Sequence, residues 1–139
     1  MHSAKAQWRV RDKKRLLAAI IEKLVGDAHI SFEGNLRDLE LLSLPGASEQ
    51  ETAVLRRNTT SPKLDFVVLP LELLTSQSIL SAVGKTVPRS VLHIQVEKSG
   101  VLEFGAYDCF HPECVVFGSA VDDALLDSLI SQRVLERMR

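Results

Sequence analysis

Cysteine is scarce in this chain: Cys109 and Cys114 are the only 2 among 139 residues. Two thiols cannot build a disulfide scaffold, so a reducing compartment suits the chain best. With 7 Gly and 5 Pro against abundant Leu and Val, collagen-like, low-complexity and disordered classes fall away. Aromatic residues make up 5%, too few for a platform on which single-stranded nucleic acid could stack. No apolar run approaches the ~20 residues that a bilayer-crossing helix needs. Leu16–Ile21 follows a basic stretch and imitates the apolar part of an export signal. Glu22 and Lys23 end it, short of the ~7–15 residues required. There is no glycine-rich phosphate loop, G-x-S-x-G elbow, H-E-x-x-H pair or dinucleotide fingerprint. The expectation is a cytoplasmic chain with no membrane partner.

What is present is a composition able to form a core. With 45% hydrophobic residues, this length suits one globular domain spanning 1–139, with 1–8 as a frayed leading segment. The formal net charge is −1, which does not suggest a general nucleic-acid binder. The charge is uneven, however. Lys5, Arg9, Arg11, Lys13, Lys14 and Arg15 stand against Asp12 alone, leaving 11 basic and 17 acidic residues in the remainder. A basic end on an acidic body can steer a partner and keeps a minor route to phosphate open. As a solvated helix start, it needs no partner at all.

The hydrophobic period changes several times along the chain. Val10 to Val25 reads as an amphipathic helix stopped by Gly26. Ala28, Ile30 and Phe32 alternate on one face of a strand, and Gly34-Asn35 reads as a hairpin turn with an antiparallel return over 36–44. Ser48-x-x-Glu51 reads as a capping box opening a short helix through Leu55, with an extended edge segment as the other reading. Leu64–Leu69 is a buried strand closed by Pro70, and Thr75 or Ser76 caps a short helix that stops at Gly84. A second hairpin turns at Lys98-Ser99-Gly100, with Leu92, Ile94 and Val96 inward on one strand and Leu102, Phe104 and Ala106 on the next. After a strand at 114–117, Asp122 or Asp123 caps a last helix with the stripe Leu125, Leu126, Leu129, Ile130, Val134 and Met138. Hairpins dominate, so the fold class is α+β: a mostly antiparallel sheet with an N-terminal and a C-terminal helix packed on it.

Reactive side chains gather in one stretch, Tyr107 to Cys114, which joins two strands. Cys109, His111 and Cys114 are zinc-type ligands, although a lone C-x4-C lacks the usual paired spacing and a fourth ligand. Alternatively, Cys109 is a nucleophile activated by His111 and oriented by Asp108, although triad members normally converge from separate elements. The plain alternative is a structural connection with Cys114 as a small core residue and no cofactor. As a recognition loop, Tyr107, Phe110 and His111 would anchor a partner while Asp108 and Glu113 supply charge. Glu33, Asp38 and Glu40, on the acidic side of the first hairpin, form a second binding surface. His93 falls on the solvent-facing phase of its strand with Gln95 and Glu97. Trp8 is read as a staple holding the first helix to the body.

A small, motif-poor, acid-leaning domain points to a non-enzymatic protein-binding role. An immunity or antitoxin-like protein that neutralises a toxin by occluding its surface is one such case. A homo-oligomer is compatible with this reading, and nucleic acid is disfavoured. The competing reading is a small metal- or thiol-dependent enzyme using the Asp108–Cys114 loop.

Overall fold

In the computed structural model, which describes residues 6–138, Gln7–Val10 form strand β1 and Lys13–Leu24 form helix α1. Leu16, Leu17, Ile20, Ile21 and Leu24 make the buried stripe of α1, as their spacing predicts. Asp12 caps its start by accepting from the Arg15 backbone N–H at 3.0 Å. Gly26, at φ +97°, carries the chain out of the helix. There the Lys98 ammonium donates to the carbonyls of Leu24, Val25 and Gly26 at 3.1, 3.0 and 2.6 Å. A cation thus sits at the negative end of the helix.

The remaining elements are β2 (Ala28–Gly34), β3 (Asp65–Pro70), α2 (Leu73–Ala82), β4 (Val91–Lys98), β5 (Val101–Ala106), β6 (Val115–Phe117), α3 (Asp123–Ser131) and β7 (Leu135–Met138). Short 3-10 turns occupy Glu40–Ser43 and Pro112–Cys114. Strands β3-β2-β4-β5-β6 form one antiparallel sheet and β1-β7 a separate antiparallel ribbon. The fold is α+β, as the hairpin pattern predicts. The β4–β5 hairpin turns at Ser99-Gly100, both with positive φ, the combination that matches the twist of the flanking strands.

One face of the sheet carries the main core. Ile30, Phe32, Val67, Leu69, Ile94, Val96 and Phe104 pack in one cluster with buried side chains of all three helices. The opposite face is polar yet covered, because the chain between β2 and β3 returns across it as a strap. A small second core of Leu55, Phe66 and Val68 pins that strap.

Several expectations are corrected. Helix α2 begins at Leu73 with Glu72 as its N-cap, and Thr75 lies inside it, its hydroxyl accepting from the Glu72 N–H at 3.0 Å. The return over 36–44 is not a strand. The partners of β2 are instead β3, some thirty residues on, in the register Phe32↔Val67, and β4 on its other side. Gly34, at φ +155°, ends β2 where the Ser90 carbonyl would lie 2.1 Å from any Cβ, so it is a close-approach glycine and not a hairpin corner. No helix follows Ser48, which instead forms a single bridge to Val68 on the outer edge of β3. The last helix ends at Ser131, and Leu135–Met138 is strand β7. Of the segment expected to fray, residues 1–5 lie outside the described residues, whereas Gln7 and Trp8 begin β1. Trp8 is buried, meeting Phe117 edge-on at 5.5 Å between centroids. It therefore staples the terminal ribbon to the main sheet. Among the described residues no helix is long and apolar enough to cross a membrane.

Candidate functional site

The Tyr107–Cys114 connection is built around an unusual backbone. Asp108, Cys109 and Phe110 all have positive φ, at 51°, 56° and 63°. Each L-residue pays roughly 1–2 kcal/mol for such a conformation, so surrounding contacts must hold the turn. The Cys109 N–H donates to the Leu92 carbonyl at 2.9 Å, and the His111 N–H to the Tyr107 carbonyl at 3.1 Å. Phe110 is 5% exposed and joins the main core, with the Lys13 ammonium 5.5 Å from its ring centroid. Phe110 is therefore an anchor of the loop itself, not an exposed contact for a partner.

The reactive groups in this loop do not converge. The Cys109 thiol is directed to the Arg89 carbonyl, with Sγ at 3.2 Å. His111 Nδ1 accepts from the Glu113 backbone N–H, capping the short 3-10 turn. Cys114 Sγ lies 4.0 Å from Asp108 Oδ2. Neither the Cys109–His111–Asp108 set nor the Cys109–His111–Cys114 set shares a focus. No group of three ligand-type side chains among the described residues is placed to hold a metal ion. Both cysteines are free thiols.

The first-hairpin surface is also divided. Asp38 and Glu40 are exposed, but Glu33 is 1% exposed. Its carboxylate accepts from the backbone N–H groups of Asn58 and Thr59 at 2.7 and 3.2 Å, tying the strap to β2. Glu33 is thus a structural tether.

The face expected to meet solvent on β4 is buried under the same strap. Thr59 Oγ1 lies 2.8 Å from His93 Nε2, and the Asp108 backbone N–H donates to His93 Nδ1 at 3.2 Å. The Gln95 amide donates to the Arg56 carbonyl at 2.8 Å and to Ser31 Oγ at 3.2 Å, and its Oε1 accepts from the Tyr107 hydroxyl at 3.2 Å. Burial pushes the Tyr107 hydroxyl above its ordinary pKa.

A hydroxyl beside a histidine resembles an activated nucleophile, so its tautomer matters. Because Nδ1 accepts the Asp108 N–H, the ring proton sits on Nε2, which donates to Thr59. A general base for Thr59 would need a bare Nε2 and a donor at Nδ1. The hydrogen bonds enforce the reverse arrangement. His93 fastens the strap and the strained loop together, and does not activate Thr59.

The feature that the sequence reading missed is the exposed, uncharged surface of α2. Between Glu72 and Lys85 the chain carries no charged residue, although α2 lies on the surface. At its head Leu73 and Leu74 are 80% and 92% exposed. A groove of about 360 Å³ separates α2 from α1, lined by Ala18, Ile21, Val25, Leu73 and Leu80 among others. On its other flank, a groove of about 340 Å³ is bounded by Glu40 and Leu44. Gln77 lines both, so α2 is a ridge between two troughs. The charge-free run was legible in the sequence. Its exposure was not.

Comparison of the chain with protein-family models, with curated proteins and with solved structures returned no match.

Proposed function

We propose that this chain is a non-enzymatic protein-binding domain that acts by complex formation, with the α2 ridge at the centre of its interface. The observation that carries this reading is the uncharged, exposed helix with Leu73 and Leu74 at its head. Surface helices normally present charge to water, whereas interface centres are depleted of it. Two exposed leucines at the head of the helix, one of them lining a groove with mixed apolar and polar walls, form a patch of the kind that marks contact with a partner. Glu40, in the adjoining trough, is a rim group of this reading, and the exposed Asp108, His111 and Glu113 offer a further polar contact surface. Neutralisation of a toxin by occlusion is its finer form, supported by the small, motif-poor, acid-leaning chain. The two free thiols support a cytoplasmic setting.

The test begins with co-purification from the native host and continues on the isolated complex. Leu73→Asp/Leu74→Asp should weaken binding by ~100-fold or more, as loss of central apolar anchors does, with an unchanged melting temperature. If the partner is a toxin, the same variant should fail to protect cells that express it. Wild-type affinity in this variant would remove α2 from the interface.

A further inference from the structure

We propose that the basic groove at the start of α1 is the docking site for an acidic segment of the protein partner. This rests on α2 as an interface and names the partner chemistry beside it. The groove encloses about 510 Å³ between the β1–α1 junction and the 86–89 loop. Arg11, Lys13, Lys14 and Arg89 line it against the single carboxylate of Asp12, and Thr86 adds a hydroxyl. Asp12 is already engaged as the cap of α1. Arg11 reaches Glu136 only at 4.0 Å, and Arg89 is exposed. Lys13 rests near the Phe110 ring, on the loop that also carries the exposed Asp108. Lys14 donates to the carbonyls of Leu80 and Gly84. Lys14 therefore sits at the carbonyl end of α2 while lining the groove.

Those two Lys14 bonds also set the groove against the end of α2. The uncharged residues 73–84 lead directly into Lys85, Thr86 and Arg89. A surface that passes from uncharged to cationic along one line complements a segment with uncharged side chains next to Asp and Glu. Arg11 and Arg89 come from separate elements, and each offers a planar fork suited to a carboxylate. Nucleic acid fits less well. Trp8 and Phe110 are buried, which removes them as stacking surfaces for bases. The acidic excess outside residues 1–15 would repel a phosphate backbone laid across the molecule.

The experiment titrates the isotope-labelled full chain with hexaglutamate and, separately, with a short DNA duplex, following backbone amide shifts. Hexaglutamate should move the amide signals of residues 10–14, 86, 87 and 89, and added salt should suppress the response. Arg11→Glu/Arg89→Glu should abolish it without altering the melting temperature. Absence of shifts, shifts centred on other arginines such as Arg37 and Arg133, or a stronger response to the duplex would overturn the proposal. In the partner complex, the arginine pair should slow association by ~10-fold or more. Wild-type association in the arginine pair, with loss only in Leu73→Asp/Leu74→Asp, overturns the acidic-segment proposal and leaves the α2 interface standing. Loss only in the arginine pair overturns the α2 interface and supports the acidic segment.

Discussion

At Gly105 a Cβ would sit 2.7 Å from the ring of Tyr107, so the glycine and the tyrosine are one device. The ring covers bare backbone on β5 while its hydroxyl reaches Gln95. Burial makes the phenolate form costly, raising the pKa in the folded state above that of the unfolded chain. The corresponding stability is therefore complete below about pH 10 and is lost as pH rises through the folded value. Because Tyr107 is the only tyrosine, ultraviolet absorbance should give a single phenolate titration shifted to the alkaline side. Tyr107→Phe should abolish both that titration and its share of the alkaline loss of stability. A titration at the ordinary tyrosine value would contradict the burial of the ring. The sequence showed Tyr107 as a contact residue and His93 as solvent-facing because alternation reports only which face is polar. That the polar face lies under a strap depends on Glu33 and Gln95 meeting residues 56–59, and no local pattern encodes that meeting.

Elements were legible where their ends are written in the sequence. Gly26 and Gly84 stop α1 and α2, at φ +97° and +81°, and Ser99-Gly100 turns the hairpin. Helix α3 shows the opposite case. Its end is closed by Arg133 at φ 62°, with the Val134 N–H donating to the Leu129 carbonyl at 2.9 Å and the Arg133 N–H to the Ile130 carbonyl at 3.0 Å. This is a Schellman ending made without glycine, so the apolar stripe read straight through it to Met138. The start of α3 is clear: Asp122 accepts from the Leu125 N–H at 3.0 Å. That bond, followed by the nearby Lys23, holds the Asp122 carboxyl below its ordinary pKa. A depressed carboxylate contributes stability that is complete above the unfolded pKa and lost as pH falls through the folded one. Asp122→Asn keeps a capping oxygen but cannot titrate. Acid unfolding curves of the two proteins should therefore converge as pH falls below the folded pKa of Asp122. Parallel curves with a constant offset would show that the carboxylate charge has no role.

At the scale of the whole molecule, the question is whether the β1–β7 ribbon, which brings residues 7–10 beside 135–138, folds with the main sheet or apart from it. A two-stranded ribbon is marginal on its own, and this one has four paired residues on each strand. Its link to the body is Trp8, which meets Phe117 at 5.5 Å, and Phe117 in turn meets Phe104 at 5.7 Å in the centre of the core. On its other side, the Arg137 guanidinium stands 4.9 Å from the Trp8 ring. The Arg11 N–H donates to the Val134 carbonyl at 2.8 Å, so the ribbon continues without a break into the entry of α1. The pairing most distant in sequence is thus supported from both the sheet and the first helix, and it should share their cooperativity. Trp8 is the only tryptophan, so its fluorescence reports the ribbon while far-ultraviolet circular dichroism reports the helices and sheet. Denaturant unfolding followed by the two probes should give coincident transitions with one midpoint. An earlier fluorescence transition would mean that the ribbon opens as a separate unit. The Trp8–Phe117 contact would then be too weak to bind the two sheets into one folding unit.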